Sequence, residues 1–298
     1  MREPVFRSPK LKPAERRVLE AIDELRKQLQ EHVNPEPRRW FGTLRRMSFA
    51  RNIQGSNSIE GYEASLDDVI AAVDDEPTLN ADEETQLALT GYRDAMTYVP
   101  QVARDPGVRV DEGLLRSMHF MMIKHRLDKD PGRWRPGEIF VVREATGERT
   151  YEGPPWELVP DLIAGMIEEL EDGDAPVMAR AAMAHLNLVM IHPLVLAREE
   201  VRAPVFSSIE EYLGRNTQSY YDVLAEVGRG GWNPRNDARP WLRYCLAAHH
   251  HQARTQLRRI DETEQLYVAC MDIVERHGLP ERAAGALMEV AYGLRMTH

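Results

Sequence analysis

The stretch "VMARAAMAHLNLVMIHPLVLAREE", residues 177–200, decides how the chain is read. From Val177 to Ile191 it is strongly apolar and free of proline and glycine. A helix that is apolar on most sides belongs in an interior, packed by others all round. It ends on Ile191-His192-Pro193, which delivers an imidazole, a group that titrates near neutrality, to the end of a buried helix. Beside proline at a helix end, His192 is either a structural residue or part of a site. A glycine-rich, phosphate-holding turn would mark the site, and Leu194 to Glu200 contains no glycine.

Outward from this stretch the chain is mostly helical. Val18, Ile22, Leu25 and Leu29 recur at spacings of four, three and four, which puts one apolar stripe on a helix. A second helix starts near Arg39 and is expected to loosen at Gly55-Ser56-Asn57-Ser58. Ser65 and Asn80 read as caps of the next two, and Pro100 to Val110 as a linker. One more helix covers about Glu112 to Leu127. Pro154-Pro155 opens another, closed by Gly173. Ser208-Ile209-Glu210-Glu211 resembles a capping box, and Thr217 begins the run through Val227. Further helices are expected at Ala238 to Arg259, Glu262 to Arg276 and Pro280 to Arg295. Between Gly132 and Gly153 the pattern changes: Ile139, Val141 and Val142 face Thr150 and Tyr151 across Thr146-Gly147, a β-hairpin signal. The fold class is therefore all-α with one hairpin. It divides into an N-terminal helical region (1–99), a core (108–250) carrying the hairpin (132–153), and a C-terminal helical extension (251–298).

Composition narrows the function. With 48 acidic and 38 basic side chains the net charge is −10, which argues against a nucleic-acid partner, since phosphate contacts need clustered Lys and Arg. No apolar run approaches the roughly 20 residues of a membrane helix, and the start lacks a signal peptide's apolar region. Cys245 and Cys270 suit a reducing compartment, so a cytoplasmic setting is expected. No metal site is read: His185 and His192 lack i, i+4 spacing, and His249, His250 and His251 fan around a helix as surface residues. Arg133 and Arg135 read as solvating the start of the hairpin.

Four pieces in order carry a resemblance. Ala184-His185 followed by Ile191-His192-Pro193 resembles the lead-in to the Fic motif, H-P-F-x-[D/E]-G-N-G-R-x-x-R. Ser56-Asn57-Ser58-Ile59-Glu60-Gly61 fits the family's inhibitory motif, [S/T]-x-x-x-E-[G/N]. The hairpin from Gly132 to Tyr151 sits where Fic proteins carry a target-docking flap, and Tyr220-Tyr221-Asp222-Val223-Leu224 looks like the stretch that lines the adenine pocket. Leu279 to Leu294 resembles the first helices of a winged helix.

The resemblance implies a transfer of AMP from ATP to a Tyr, Ser or Thr hydroxyl of a target protein, with ATP and Mg²⁺ as cofactors. His192 would be the general base. Glu60, with Ser56 and Gly61, would form the inhibitory segment that competes with the γ-phosphate for an arginine. Tyr220, Tyr221 and Leu224 would contact adenine, although the two tyrosines fit equally well as core aromatics of an amphipathic helix. Ile139, Val141, Val142, Thr150 and Tyr151 would dock the target by strand addition. The expected partners are ATP and that target protein, with room for a homodimer and none for a membrane. Laid on the motif without gaps, Leu194 replaces the phenylalanine, Leu196 the acid, Ala197 and Glu199 the two glycines, Arg198 the asparagine, and Glu200 and Ala203 the two arginines. The flanks look intact, so a missing block of on the order of a dozen residues between Pro193 and Leu194 fits better than scattered decay, because it removes one unit, the phosphate-binding turn. The alternative to the enzyme is a Fic scaffold that binds proteins without that turn.

Overall fold

The computed structural model describes residues 5–33, 40–78, 80–105, 107–143, 147–187 and 208–293. Helices α1 (Pro13–Val33), α2 (Phe41–Ile59), α3 (Leu66–Val73), α4 (Glu83–Val102) and α5 (Glu112–Ile123) lead to a hairpin of β1 (Phe140–Arg143) and β2 (Glu148–Glu152). Then come α6 (Val159–Asp172), α7 (Val177–Asn187), α8 (Glu210–Arg215), α9 (Thr217–Gly228), α10 (Arg239–Arg276) and α11 (Ala283–Ala291).

The alanines of α7 explain why everything else gathers around it. Ala179, Ala181 and Ala182 are fully covered, and Met178, Met183 and Ala184 nearly so. Small side chains let neighbouring backbones approach, and the methionines fill what remains. On one side α1, α9 and α10 close over α7 around Trp241, which has no exposed surface and whose Nε1 donates to the Ala182 carbonyl at 2.6 Å. Burying a side chain of this size contributes about 3 kcal/mol. On another side α7 meets α5 and α6 through Leu115, Met118 and Met166. A third core joins α2 to α3, α4 and α5, and a fourth joins the start of α2 to α10 and α11.

Several local expectations change. Residues Gly55 to Ser58 do not break α2, because the small polar side chains bond back to its own carbonyls: Asn57 Nδ2 to Ile53 O at 2.9 Å and Ser58 Oγ to Gly55 O at 2.8 Å. Ser65 does cap α3, accepting from the Asp68 N–H, but α4 is capped by Asp82 rather than Asn80. Pro100 lies in the last turn of α4, so the expected linker begins later. The two helices expected over 238–276 are one, since Ile260 and Thr263 are both buried and the chain passes Asp261 without a cap. The box at Ser208 does not form: Ile209 is the N-cap of α8, and Glu211 instead takes a bidentate pair from Arg259 at 2.7 and 2.6 Å. His249 is buried, not a surface residue, because three consecutive helical positions span too wide an arc for all to face water. His250 is half-buried and His251 exposed.

The tightest helix contact joins α2 to α8. A Cβ added to Gly55 would lie 2.4 Å from the Glu210 carbonyl oxygen, and one added to Gly214 would lie 2.4 Å from the Gly55 carbonyl oxygen. Both obstacles are backbone, which cannot rotate away. Gly55→Ala should therefore lower stability by about 1–3 kcal/mol, the cost of overpacking. Gly42→Ala, at a helical glycine with nothing within 4 Å, should be neutral or gain up to about 1 kcal/mol. Urea unfolding of the two variants measures the contrast, and equal effects would show that α2 and α8 do not approach this closely.

Candidate functional site

The end of α2 is shaped by three backbone bonds. The N–H of Tyr62 reaches the Asn57 carbonyl at 2.9 Å, that of Gly61 the Ser58 carbonyl at 3.3 Å, and that of Glu60 the Asn57 carbonyl at 3.1 Å. Gly61 has φ +86°, the left-handed conformation that this Schellman closure requires and that glycine adopts without strain. The closure fixes where Glu60 leaves the helix. Ser56, Glu60 and Gly61 thus occupy one capped helix end rather than a loose loop.

Across from it stand the tyrosines of α9. Tyr221 is about half exposed, and its Oη donates to the Ile59 carbonyl at 3.1 Å. Tyr220 is buried, with its ring 5.3 Å from Tyr221, 5.8 Å from Trp241 and 6.2 Å from His185. His185 lies in turn 5.2 Å from Trp241. Tyr220 therefore belongs to the core, and Tyr221 presents a face to solvent at the helix end of Glu60. Leu224 is partly buried against the same core. Of the two, Tyr220 takes the core position and Tyr221 keeps part of its ring in water.

Electrostatics set Glu60 apart. Its side chain reaches solvent, but the protein around it removes enough water to push its carboxyl above the usual range. Burial also drives His185 down to about 4, so it is neutral at physiological pH. Burial lifts the Tyr220 hydroxyl above its ordinary value, with the nearby charge of Glu60 acting in the same direction. The pairing of Glu211 is different. Burial would raise its carboxyl, but Arg259, Gln252 and Arg215 hold it below the usual value.

The hairpin is a short antiparallel pair with Phe140 opposite Glu152 and Val141 opposite Tyr151, then an irregularity before Val142 opposite Arg149. Its second strand is tied to the protein: Glu152 N–H donates to Gly230 O at 3.1 Å, and Trp232 N–H to Glu152 O at 3.0 Å. Tyr151 packs back onto Gly228, where an added Cβ would stand 3.1 Å from its ring. Arg135 donates to the Gly137 and Pro154 carbonyls, fastening the base of the hairpin rather than solvating it. Ile139 is about half exposed, and Thr150 lies between. For Val141 and Val142 the backbone pairing alone is described. β1 is the strand whose outer edge carries no such tie among the described residues.

The sequence gives no signal for the clamp that holds residues 5–12 near the end of α7. Asn187 Oδ1 accepts from Phe6 N–H at 3.2 Å, while its Nδ2 donates to Phe6 O at 3.1 Å. The Phe6 ring meets Trp232 edge-on at 5.3 Å. His192 and Pro193, with everything from 188 to 207, lie outside the described residues. Among those described, no group of three His, Cys, Asp or Glu side chains could hold a metal ion. Laid on the motif without gaps, the position of the magnesium-binding acid is Leu196, which has no oxygen donor, and in the gapped reading that position falls in the missing block, so in neither reading do the residues present fit Mg²⁺ there.

No protein-family model and no curated protein matches the sequence. Solved structures do. A Fic family protein from Desulfovibrio desulfuricans G20 superposes with a TM-score of 0.71 at 20% identity, over 97% of this chain and 87% of that one. A Fic domain containing signaling protein from Bacteroides thetaiotaomicron VPI-5482 gives 0.62 at 17% identity, over 81% and 97%. Residues 134–508 of Fic-1 from C. elegans give 0.63 at 17%, over 84% and 74%. The chain has the all-helical fold of Fic proteins, hairpin included.

Glu210, at the Gly55 contact, is 7% exposed, and its Oε2 has no hydrogen-bond partner among the described residues. Burial lifts its carboxyl to about 7, although the backbone N–H groups of Glu210 and Ile209 act to lower it. A carboxyl whose folded pKa exceeds its unfolded one favours folding at low pH, and the benefit disappears as pH rises from about 4.5 towards 7. From about pH 5 to about pH 8 the protein should lose up to about 3 kcal/mol more stability than Glu210→Gln. Denaturant unfolding at both pH values tests this, and parallel losses would count against a buried, titrating Glu210.

Proposed function

We propose that the chain is a Fic-type nucleotidyltransferase that moves AMP from ATP to a Tyr, Ser or Thr hydroxyl of a target protein and is held down by Glu60. The observation that carries this reading is the hydrogen bond from Tyr221 to the Ile59 carbonyl. It joins the helix end bearing the inhibitory motif to the α9 face assigned to adenine, so that the brake and the nucleotide wall form one surface. The fold shared with Fic proteins supports the same assignment.

His192, five residues after α7 in the sequence, takes the proton from the attacking hydroxyl. The exposed ring of Tyr221, backed by Tyr220 and with Leu224 one turn further on, supplies a flat face against which a base stacks. The outer edge of β1, which carries no tie among the described residues, offers backbone groups for an extended target segment, and β2 and Arg135 hold the hairpin still. Glu60 stands at the rim and places a carboxylate where anionic phosphates would approach. No step is routed through Mg²⁺, since neither the ungapped nor the gapped reading of 193–200 supplies the acid that would hold it.

One observation favours a second reading. Pro193 is joined directly to Leu194, and no glycine follows before Gly214. Without a turn of backbone N–H groups there is little to hold a triphosphate. In this reading the protein is a Fic scaffold that binds its partner at the hairpin and transfers nothing.

Incubation with ATP labelled at the α-phosphate separates the two. For the transferase, Glu60→Gly should label itself or an added target at least about tenfold more than the wild type, the loss of a brake worth about 1.4 kcal/mol or more. His192→Ala should abolish the signal. An unlabelled Glu60→Gly protein that ATP also fails to stabilise against heat would end the transferase reading and leave the scaffold.

A further inference from the structure

Between α1 and α10 a furrow runs along two helix faces. Ala14, Arg17, Val18 and Ala21 of α1 line one wall, and Ala247, His250, His251, Arg254, Thr255 and Arg258 of α10 the other, joined by Tyr212 of α8. Its volume is about 960 Å³. The residues recur at helical spacing on both walls, so the furrow follows the helix axes. From 247 to 258 it extends roughly 16 Å, or three turns. Small side chains leave it open: three alanines and a valine form an apolar floor.

The charge is one-sided. The described lining residues include three arginines and two histidines and no carboxylate, in a chain whose net charge is −10. Other arginines of α10 are committed to structure. Arg239 and Arg243 hold Glu15, covering it so that burial, which would raise its carboxyl, is outweighed and it falls to about 2; Arg259 holds Glu211. Arg17 and Arg254 instead project from exposed positions. Arg258 meets Glu262 at 3.5 Å with both side chains largely in water, an exchangeable pair. Beside them Tyr212 lies 5.2 Å from the His251 ring and 6.1 Å from that of Tyr244, a firm aromatic edge.

We propose that this furrow is a docking site for an acidic, amphipathic segment of a partner protein, bound as a short helix. Apolar residues at i, i+3, i+4 and i+7 would rest on the alanine floor, and flanking carboxylates would meet Arg17, Arg254 and Arg258. A nucleic acid fits less well. Its phosphates need a continuous basic track, the furrow floor is apolar, and the rest of the chain repels polyanions. The site lies on α1 and α10 and owes nothing to nucleotide chemistry.

The full chain is titrated into a fluorescein-labelled helical peptide of about 14 residues, with Leu at the contact positions and Glu at the flanks, at about 50 and about 300 mM NaCl. Saturable binding is expected, about tenfold or more weaker at the higher salt. Arg17→Glu with Arg254→Glu should weaken it at least tenfold, Arg17→Gln with Arg254→Gln by less, and Arg276→Glu not at all. All of these arginines are exposed, so thermal unfolding should stay at the wild-type temperature and confirm that the variants fold. Absence of saturation would overturn the proposal, as would equal binding of the peptide with Lys in place of Glu, or loss of affinity on Arg276→Glu alone. Tighter binding of a single-stranded oligonucleotide would replace the protein segment by a nucleic acid. Self-association that the double charge reversal abolishes, with no peptide binding, would replace it by a second copy of the chain.

Discussion

The approach of Gly55 to Gly214 governs this molecule. Two backbones meet there with no side chain between them, and nothing larger than hydrogen fits at either position. Because α8 is only six residues long and runs almost directly into α9, its position fixes where Tyr220 and Tyr221 stand. Because α2 ends four residues after Gly55, the same contact fixes where Glu60 emerges. The spacing between these groups is set by main-chain packing, which tolerates less adjustment than a side-chain contact would.

Around that contact the acids are treated in contrasting ways. Glu15 and Glu211 are covered and matched by arginines, and both remain ionised. Glu210 is covered and, among the described residues, receives backbone N–H groups alone, so burial prevails. Glu60 keeps access to water while the protein crowds it, and burial raises its carboxyl. Paired buried acids hold helices together, whereas an unmatched acid at a rim is free to interact with something that arrives.

What the sequence disclosed follows from how local each feature is. The apolar run of α7 from Val177 to Asn187, the stripe of α1, the Ser65 cap and the hairpin over 140–152 depend on neighbours within a turn or two, and they could be read directly. The continuity of α2 through Gly55-Ser56-Asn57-Ser58 could not, because residues that often mark a turn here bond back to the helix's own carbonyls, while Gly55 packs on α8, more than 150 residues later. The same holds for α10, kept intact past Asp261 by the burial of Ile260 and Thr263. Of the candidate site, the motif residues were proposed from pattern. Their division of labour, with Tyr220 inside and Tyr221 at the rim, was not, since both sit on one amphipathic helix. The clamp by Asn187 on Phe6 spans 181 positions and leaves no trace in either segment.

The 38 residues of α10 contain no glycine, and their proline lies in the first turn, so about 57 Å of chain has no internal hinge. A rod of this kind imposes a shared orientation on everything mounted along it. Rolling it slightly to relieve a misfit at Trp241 would swing Gln252 and Arg259 away from Glu211 and turn Val274 out of its own core. Amino-acid changes along α10 are thus accepted in matched sets or not at all, and drift at one end of the molecule is held in check by the other.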